Sequence, residues 1–182
     1  TYGISDNGEE DVTTESASIS LTSHLSYRMT SHFRGQFSRD LQLSRSNSQE
    51  TLTRVRDVTD GFGRSSILPR ETREHRTHIT ETVSLEGSRH SWKLGGDVLL
   101  SRTYNFFPSL FGGEYIFDDL RVDPWTFEPN HYGMDVTPLR AYAHEVPRYY
   151  IQNFGSAISH PDSNEYATFL QDTVRISGRL AL

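Results

Sequence analysis

Cysteine is absent from this sequence, which excludes disulfides and thiolate metal sites. Hydrophobic residues are few, at 34% of the 182 residues, while aromatics reach 12%. That balance suits a β protein with aromatic-rich surfaces better than a helical one. No window approaches about eighteen consecutive apolar residues, so a transmembrane helix is excluded. An initiator methionine is lacking, as is a charged stretch followed by an apolar run that would read as a signal peptide, and we expect an internal piece of a longer chain. There is no basic excess either. The net charge of −6 argues against a nucleic-acid partner. Much of the acidity gathers at Asp6, Glu9, Glu10, Asp11 and Glu15, which reads as a solvated loop.

What is present is a period of two. From Ala17 to Met29 the odd positions run Ala, Ile, Leu, Ser, Leu, Tyr, Met, and the even ones are Ser, Thr, His or Arg. This gives one apolar and one polar face over thirteen residues. Phe33, Phe37, Leu41 and Leu43 continue the odd apolar set in a second stretch to Ser44, with Arg39 as the one poor fit. Pairing Met29 with Phe33 makes these stretches a hairpin around Thr30-Ser31-His32, with Tyr27 opposite Gly35 and both apolar faces on one side.

Two further hairpins follow. Ile79, Val83 and Leu85 face Trp92, Leu94, Val98, Leu100 and Tyr104 if Glu86 pairs with Arg89 around Gly87-Ser88. Tyr166, Leu170, Val174 and Ile176 share a face if Ile176 pairs with Leu180 around Ser177-Gly178-Arg179, and Leu182 continues that face. Glu81 and Asp172 interrupt the apolar rows, a placement that is costly at mid-bilayer and mild near an interface.

The connections between hairpins are long, about 45–74 and about 106–164, against hairpins at about 17–44, 76–105 and 165–182. Short turns alternating with long loops and amphipathic strands are the pattern of an outer-membrane barrel. A thirteen-residue strand is roughly 43 Å long and, tilted about 40°, rises about 33 Å, enough to cross the apolar band. The expected fold class is therefore all-β: an antiparallel up-and-down sheet, part of a large transmembrane β-barrel with long extracellular loops. Six strands are fewer than the smallest bacterial barrels use, so we expect an open, curved sheet from this stretch alone.

Three segments carry a resemblance. "HSWKLGGDVLLSRTYNFF" (His90–Phe107), "FGGEYIFDDL" (Phe111–Leu120) and "EYATFLQDTVRISGRLAL" (Glu165–Leu182) resemble the barrel of TonB-dependent outer-membrane transporters, most closely the Oar-like subgroup. The positions that match are His90, Lys93, Gly95, Gly96 and Asp97, then Phe169, Gln171, Asp172, Arg175, Arg179, Leu180 and Leu182, and the likeness covers roughly residues 73–182. Val174 stands where the family often has an aromatic. The plug domain, the TonB box and the terminal strand are not in this sequence, so no residue here is assigned to energy coupling.

The resemblance implies outer-membrane localisation and uptake of a scarce ligand, with this stretch supplying barrel wall and extracellular loops. It implies outer-membrane lipid, the plug of the same chain, the TonB complex and an unknown small ligand as partners. No cofactor is implied. The second long loop holds the candidate ligand contacts, Trp125, Phe127, Tyr132, Tyr142, Tyr149 and Tyr150, beside His131 and His144. Their rings could stack on a ligand, with a polar tip on each tyrosine, or could pack the loop against itself or against the plug. Tyr27, Trp92 and Tyr104 are candidates for interfacial aromatic girdles, with ordinary strand packing as the competing explanation.

A metal site is not expected. His75 and His78, three apart on a strand, point to opposite faces. An enzyme is not expected either. A Gly-x-Ser-x-Gly elbow is missing, and the carboxylates of Asp118-Asp119 would point apart in a strand. The principal rival is a soluble extracellular β-sandwich that binds carbohydrate or protein. It would account for alternation and aromatics, but not for the strand length or the long/short order of connections.

Overall fold

A computed structural model of the chain describes residues 3–177 and the backbone of residues 180–181. A 3₁₀ turn at Ile4–Asp6 leads into β1 (Gly8–Ser26) and β2 (Met29–Ser46), followed by the short β3 (Leu52–Val55) and β4 (Thr59–Phe62). Two long strands come next, β5 (Arg70–Glu86) and β6 (His90–Phe106). The following stretch holds β7 (Glu114–Phe117), β8 (Leu120–Val122), β9 (Met134–Val136), helix α1 (Pro138–Ala143), β10 (Tyr149–Ile151) and β11 (Ile158–Ser159). The last strands are β12 (Ser163–Ser177) and β13 (Leu180–Ala181). Among the described residues no helix is long and apolar enough to cross a membrane.

The fold is all-β. The long strands form one open sheet in the order β1-β2-β5-β6-β12-β13, with β11 added on β6. Each long strand thus lies beside the next long strand in sequence, an up-and-down order, and the sheet does not close among the described residues. A second sheet has the order β10-β7-β3-β4, in which β3 and β7 run parallel, and β8 pairs with β9. The chain divides into two compact units. Residues 1–12, 42–72 and 105–159 make one, here called the loop unit, and residues 13–41, 73–104 and 160–182 make the other, the strand unit.

The first turn falls at Tyr27-Arg28, not at Thr30-Ser31-His32. Thr22 meets the His32 ring at 3.1 Å and Thr30 meets His24 at 3.3 Å. A Cβ placed on Gly35 would lie 3.3 Å from Ile19 Cγ2, so Gly35 faces Ile19 and not Tyr27. The correction moves the partner by an even number of residues, and the apolar faces still coincide. Alternation fixes the parity of a register and leaves its value to the turn. The second turn shows the same thing. Gly87 N–H donates to the His90 carbonyl at 2.8 Å, which closes the turn on Ser88-Arg89 in place of Gly87-Ser88. In the third hairpin Arg175 pairs with Ala181, the register that sets Ile176 opposite Leu180, and an irregularity then pairs Ser177 with Leu180. Gly178, Arg179 and Leu182, named in the expected turn and return strand, lie outside the described residues.

The long connections are not plain loops. β2 extends to Ser46, β5 begins at Arg70 and β12 at Ser163, so the strands take up part of both connections. What remains folds as the loop unit. Its core is Val55, Phe117, Val122, Val136 and Ala141, joined by Phe62, Leu120, Phe127 and Met134. Leu52 is 1% exposed and Val122 0%. Helix α1 starts where Thr137 Oγ1 accepts from the Arg140 N–H at 3.4 Å and Pro138 occupies the first turn, where its missing N–H costs nothing.

The strand unit has no buried hydrophobic side chain among the described residues. Its apolar residues fall in rows on one face. Tyr166 pairs with Val98 and Leu170 with Leu94. The Phe37 and His75 rings meet at 6.2 Å, and Ser31 donates to Glu81 at 2.6 Å, which sets β2 against β5. The face so aligned carries Leu21 and Leu25, Phe33 and Phe37, Ile79 and Val83, Leu94 and Val98, and Tyr166 and Leu170. Leu94 is 57% exposed and Leu170 67%. Toward the long connections each of four strands changes from apolar to charged on this face, at Glu15, Arg39, Arg73 and Arg102. Toward the short turns lie Trp92, with the His90 ring stacked on it at 6.1 Å, and Asp172. The two acidic exceptions have partners: Glu81 has Ser31, and Asp172 Oδ2 lies 2.7 Å from His90 Nδ1.

The opposite face is polar. His78 Nε2 lies 2.6 Å from Asp97 Oδ2, and Ser101 donates to Glu74 at 2.7 Å. Phe169 is a large apolar residue there, and it pairs with Gly95. Its ring covers the glycine, so that a Cβ on Gly95 would fall within the ring.

Candidate functional site

The loop unit builds its surface from short, hydrogen-bonded turns. Asp123 ends β8, and its Oδ1 accepts from the N–H groups of Trp125 at 2.8 Å and Thr126 at 3.1 Å. Its carbonyl accepts from Phe127 N–H at 2.9 Å, and its own N–H donates to the Glu128 carbonyl at 2.8 Å. The two N–H bonds to Oδ1 hold the Asp123 carboxyl below the ordinary carboxylate range, the Trp125 N–H contributing most. Next comes a smaller turn of the same type. Asn130 Oδ1 accepts from Tyr132 N–H at 3.0 Å, and the Asn130 carbonyl from Gly133 N–H at 3.1 Å. Short Asp and Asn side chains favour such turns because they reach backbone N–H groups two residues on.

The six candidate aromatics divide in two. Phe127 stacks on His144 with centroids 3.7 Å apart, and the Arg140 guanidinium lies 5.4 Å from its ring centre. Tyr142 sits edge-on to Phe117 at 5.2 Å and to Phe62 at 5.9 Å, on the margin of the core. Tyr150 packs on Tyr115 at 4.8 Å and donates to Gln152 at 2.9 Å. Tyr149 lies under the Arg148 guanidinium, whose Nε donates to its hydroxyl at 3.1 Å. These four pack the loop unit against itself. Trp125 and Tyr132, 92% and 97% exposed, do not. Their backbones are fixed by the two turns while their rings stand in solvent.

Beside Tyr132 is a cleft of about 710 Å³, walled by Asn130 and His131, by Arg121 and Asp135 of the β8–β9 pair, and by Arg148. Arg121 donates to Asp135 through Nε at 2.6 Å and to the His131 carbonyl through Nη1 at 3.4 Å. Arg148 donates to the Asp119 carbonyl at 2.8 Å, and Arg56 reaches Asp118 at 2.8 Å. Arg121 holds the Asp135 carboxyl below its usual range, and Arg56 does the same to Asp118. The wall therefore offers donors and acceptors with its charges largely matched, a lining that can hydrogen-bond a polar ligand. Among the described residues no three His, Asp or Glu side chains gather as a metal site would require.

Sequence reasoning missed Arg121, Asp135, Asn130 and Arg148. A signal was available: Asp and Asn at the head of D-P-W-T and N-H-Y-G mark turns that present the residue two places on. The cleft itself depends on β8 pairing with β9, which three-residue strands do not announce. In comparison with known proteins, no protein-family model, no curated protein and no solved structure matches the chain.

Proposed function

We propose that this stretch is part of the outer-membrane barrel of a TonB-dependent transporter of the Oar-like kind, its long strands forming wall and its loop unit forming ligand-contacting extracellular surface. The observation that carries the reading is the exposed apolar band of the strand unit. On β2 it spans Met29 to Phe37, nine residues, before the charged Arg39. A strand tilted through a bilayer uses about 9–11 residues. Large apolar side chains left in water across neighbouring strands are unfavourable at about 25 cal/mol per Å², and lipid removes that cost. Two of the three sequence segments behind the family resemblance also support it, because they are sheet neighbours: Gly95 of one pairs with Phe169 of the other.

On this reading outer-membrane lipid faces the band, the plug of the same chain faces the polar side, and the TonB complex acts through parts outside these residues. The ligand meets the cleft beside Tyr132, with Trp125 on the neighbouring turn. No catalytic step and no cofactor is assigned.

Because cysteine is absent, single cysteines placed in the full-length protein report cleanly. Spin labels at Leu21, Leu94 and Leu170 should be accessible to oxygen and shielded from a water-soluble nickel complex in bilayers. Labels at Ser20, Lys93 and Gln171 should show the reverse. Nickel accessibility on both faces would sink the proposal. An apolar face closed to both reagents would favour the sandwich.

A further inference from the structure

The sheet of the loop unit carries one row of side chains across its four strands. Tyr150 pairs with Tyr115, Tyr115 with Thr53, and Thr53 with Phe62. Paired residues point to the same side of a sheet, and Phe117, two places beyond Tyr115, points there too. Tyr150 leans toward Gly113, on the far side of Tyr115 from Phe117. Tyr142 of α1 meets Phe117 and Phe62 edge-on, at 5.2 Å and 5.9 Å. A recess of about 320 Å³ opens here, lined by Thr53, Tyr115, Phe117, Tyr142, Glu145 and Pro147. It shares no lining residue with the cleft beside Tyr132. Glu145 is the one charged residue in its lining.

The backbone at Glu145 does not favour a side chain. Val146 N–H donates to the Ala141 carbonyl and Glu145 N–H to the Tyr142 carbonyl, both at 3.0 Å, which closes α1 in a Schellman turn. The residue at this place is left-handed, here with φ of 58°, and it is most often glycine. A glutamate there is strained, and strained backbone gathers at sites that use it. Its carboxylate is exposed and has no cationic partner among the described residues.

We propose that this recess binds an organic cation of the quaternary ammonium class. The Tyr115, Phe117 and Tyr142 rings surround the head group, and Glu145 supplies the counter-charge. The ring quadrupole attracts a cation, and clustered aromatic side chains recognise quaternary ammonium heads in this way. Such a head has no N–H to satisfy, which matches a lining of three rings and one carboxylate. A guanidinium or a primary ammonium would bring several donors to that single carboxylate. The site lies wholly within the loop unit, so it stands whether or not the strand unit meets lipid.

The test compares choline with neohexanol, its uncharged carbon analogue, by ligand-observed NMR on the full-length protein. Choline should bind about tenfold more tightly, the scale of a cation held by partly exposed rings. Glu145→Gln, which keeps the size and removes the charge, should take away most of that preference. Glu145→Gly should do the same while the melting temperature stays level or rises, because glycine suits the left-handed position. Tyr115→Leu should weaken choline and spare neohexanol, and Tyr132→Ala should change neither. Equal affinity for the two probes, or a preference that survives both Glu145 variants, overturns the site. Tighter binding of methylguanidinium than of choline overturns the quaternary assignment in favour of a hydrogen-bonding cation. Choline binding that is lost in Tyr132→Ala and kept in Glu145→Gly overturns this location in favour of the cleft.

Discussion

The loop unit and the strand unit are made of the same material and treat their apolar side chains in opposite ways. In the loop unit, strands of three or four residues bring Val55, Phe117, Val122 and Val136 together until water is excluded, and bury Leu52 as well. Fully burying a Leu or Val contributes about 1.5–3 kcal/mol, so this small core accounts for an ordered fold in a stretch with little regular structure. In the strand unit, strands of 15–19 residues hold comparable side chains out on a face left exposed among the described residues. Its order comes from backbone pairing and cross-strand contacts, which alone give a marginal sheet in water. One unit carries its own apolar interior. The other leaves its apolar side chains exposed.

The comparison can be broken or sharpened by four measurements. Leu52→Ala should destabilise the loop unit by about 2–5 kcal/mol, seen as faster amide exchange in β3 and β7, with exchange in β12 unchanged. Equal loosening of β12 would mean that the two units share one stability. Leu94→Arg should cost about 2–4 kcal/mol in a bilayer, read from urea unfolding in lipid vesicles. A change within about 0.5 kcal/mol, as for an ordinary surface site, would place that face in water.

Trp125→Ala and Tyr132→Ala should leave stability within about 0.5 kcal/mol. Each should weaken ligand retention by cells several-fold, at about 0.5–1.5 kcal/mol per lost ring contact. Losses of the same size at Tyr142, which packs on Phe117, would say that the effect is folding and not contact.

The smallest effect concerns pH. Because the Asp123 carboxyl lies below its unfolded value, it stabilises the Trp125 turn above the ordinary carboxylate pKa of about 3.9, and that contribution is lost as pH falls through the lower, folded value. Trp125 amide exchange, corrected for its intrinsic pH dependence, should therefore be steady from neutral pH to about 4 and rise only below it. Asp123→Asn should remove the pH step and keep an acceptor for the turn. A rise near neutrality would point to a different group.

These outcomes also bear on what the residues reveal unaided. The apolar faces of all three hairpins follow from alternation, because side chains on a strand have only two directions to choose from. The turn at Tyr27-Arg28 does not follow. A shifted register pairs Leu25 with Phe37 just as agreeably, and neither Tyr27 nor Arg28 has the composition of a tight turn. The pairing of β3 with β7 joins segments some sixty residues apart through strands of four residues each, too short for any period to show. The six aromatics share a region in sequence, yet four of them pack within the loop unit. Only the position of Trp125 and Tyr132 two places beyond Asp123 and Asn130 distinguishes the presented rings.

Phe169 over Gly95 has a consequence for how such a long sheet assembles. A strand of this kind can slide past its neighbour in steps of two residues with every side chain still on its proper face. Alternation therefore supplies one bit of the address and no more. A bulky ring that fits only where its neighbour has no side chain supplies the rest, since after a slide of two the ring would stand over Asp97 or Lys93. Such a pair works like the notch on a key, making a single alignment of β6 and β12 the one that closes.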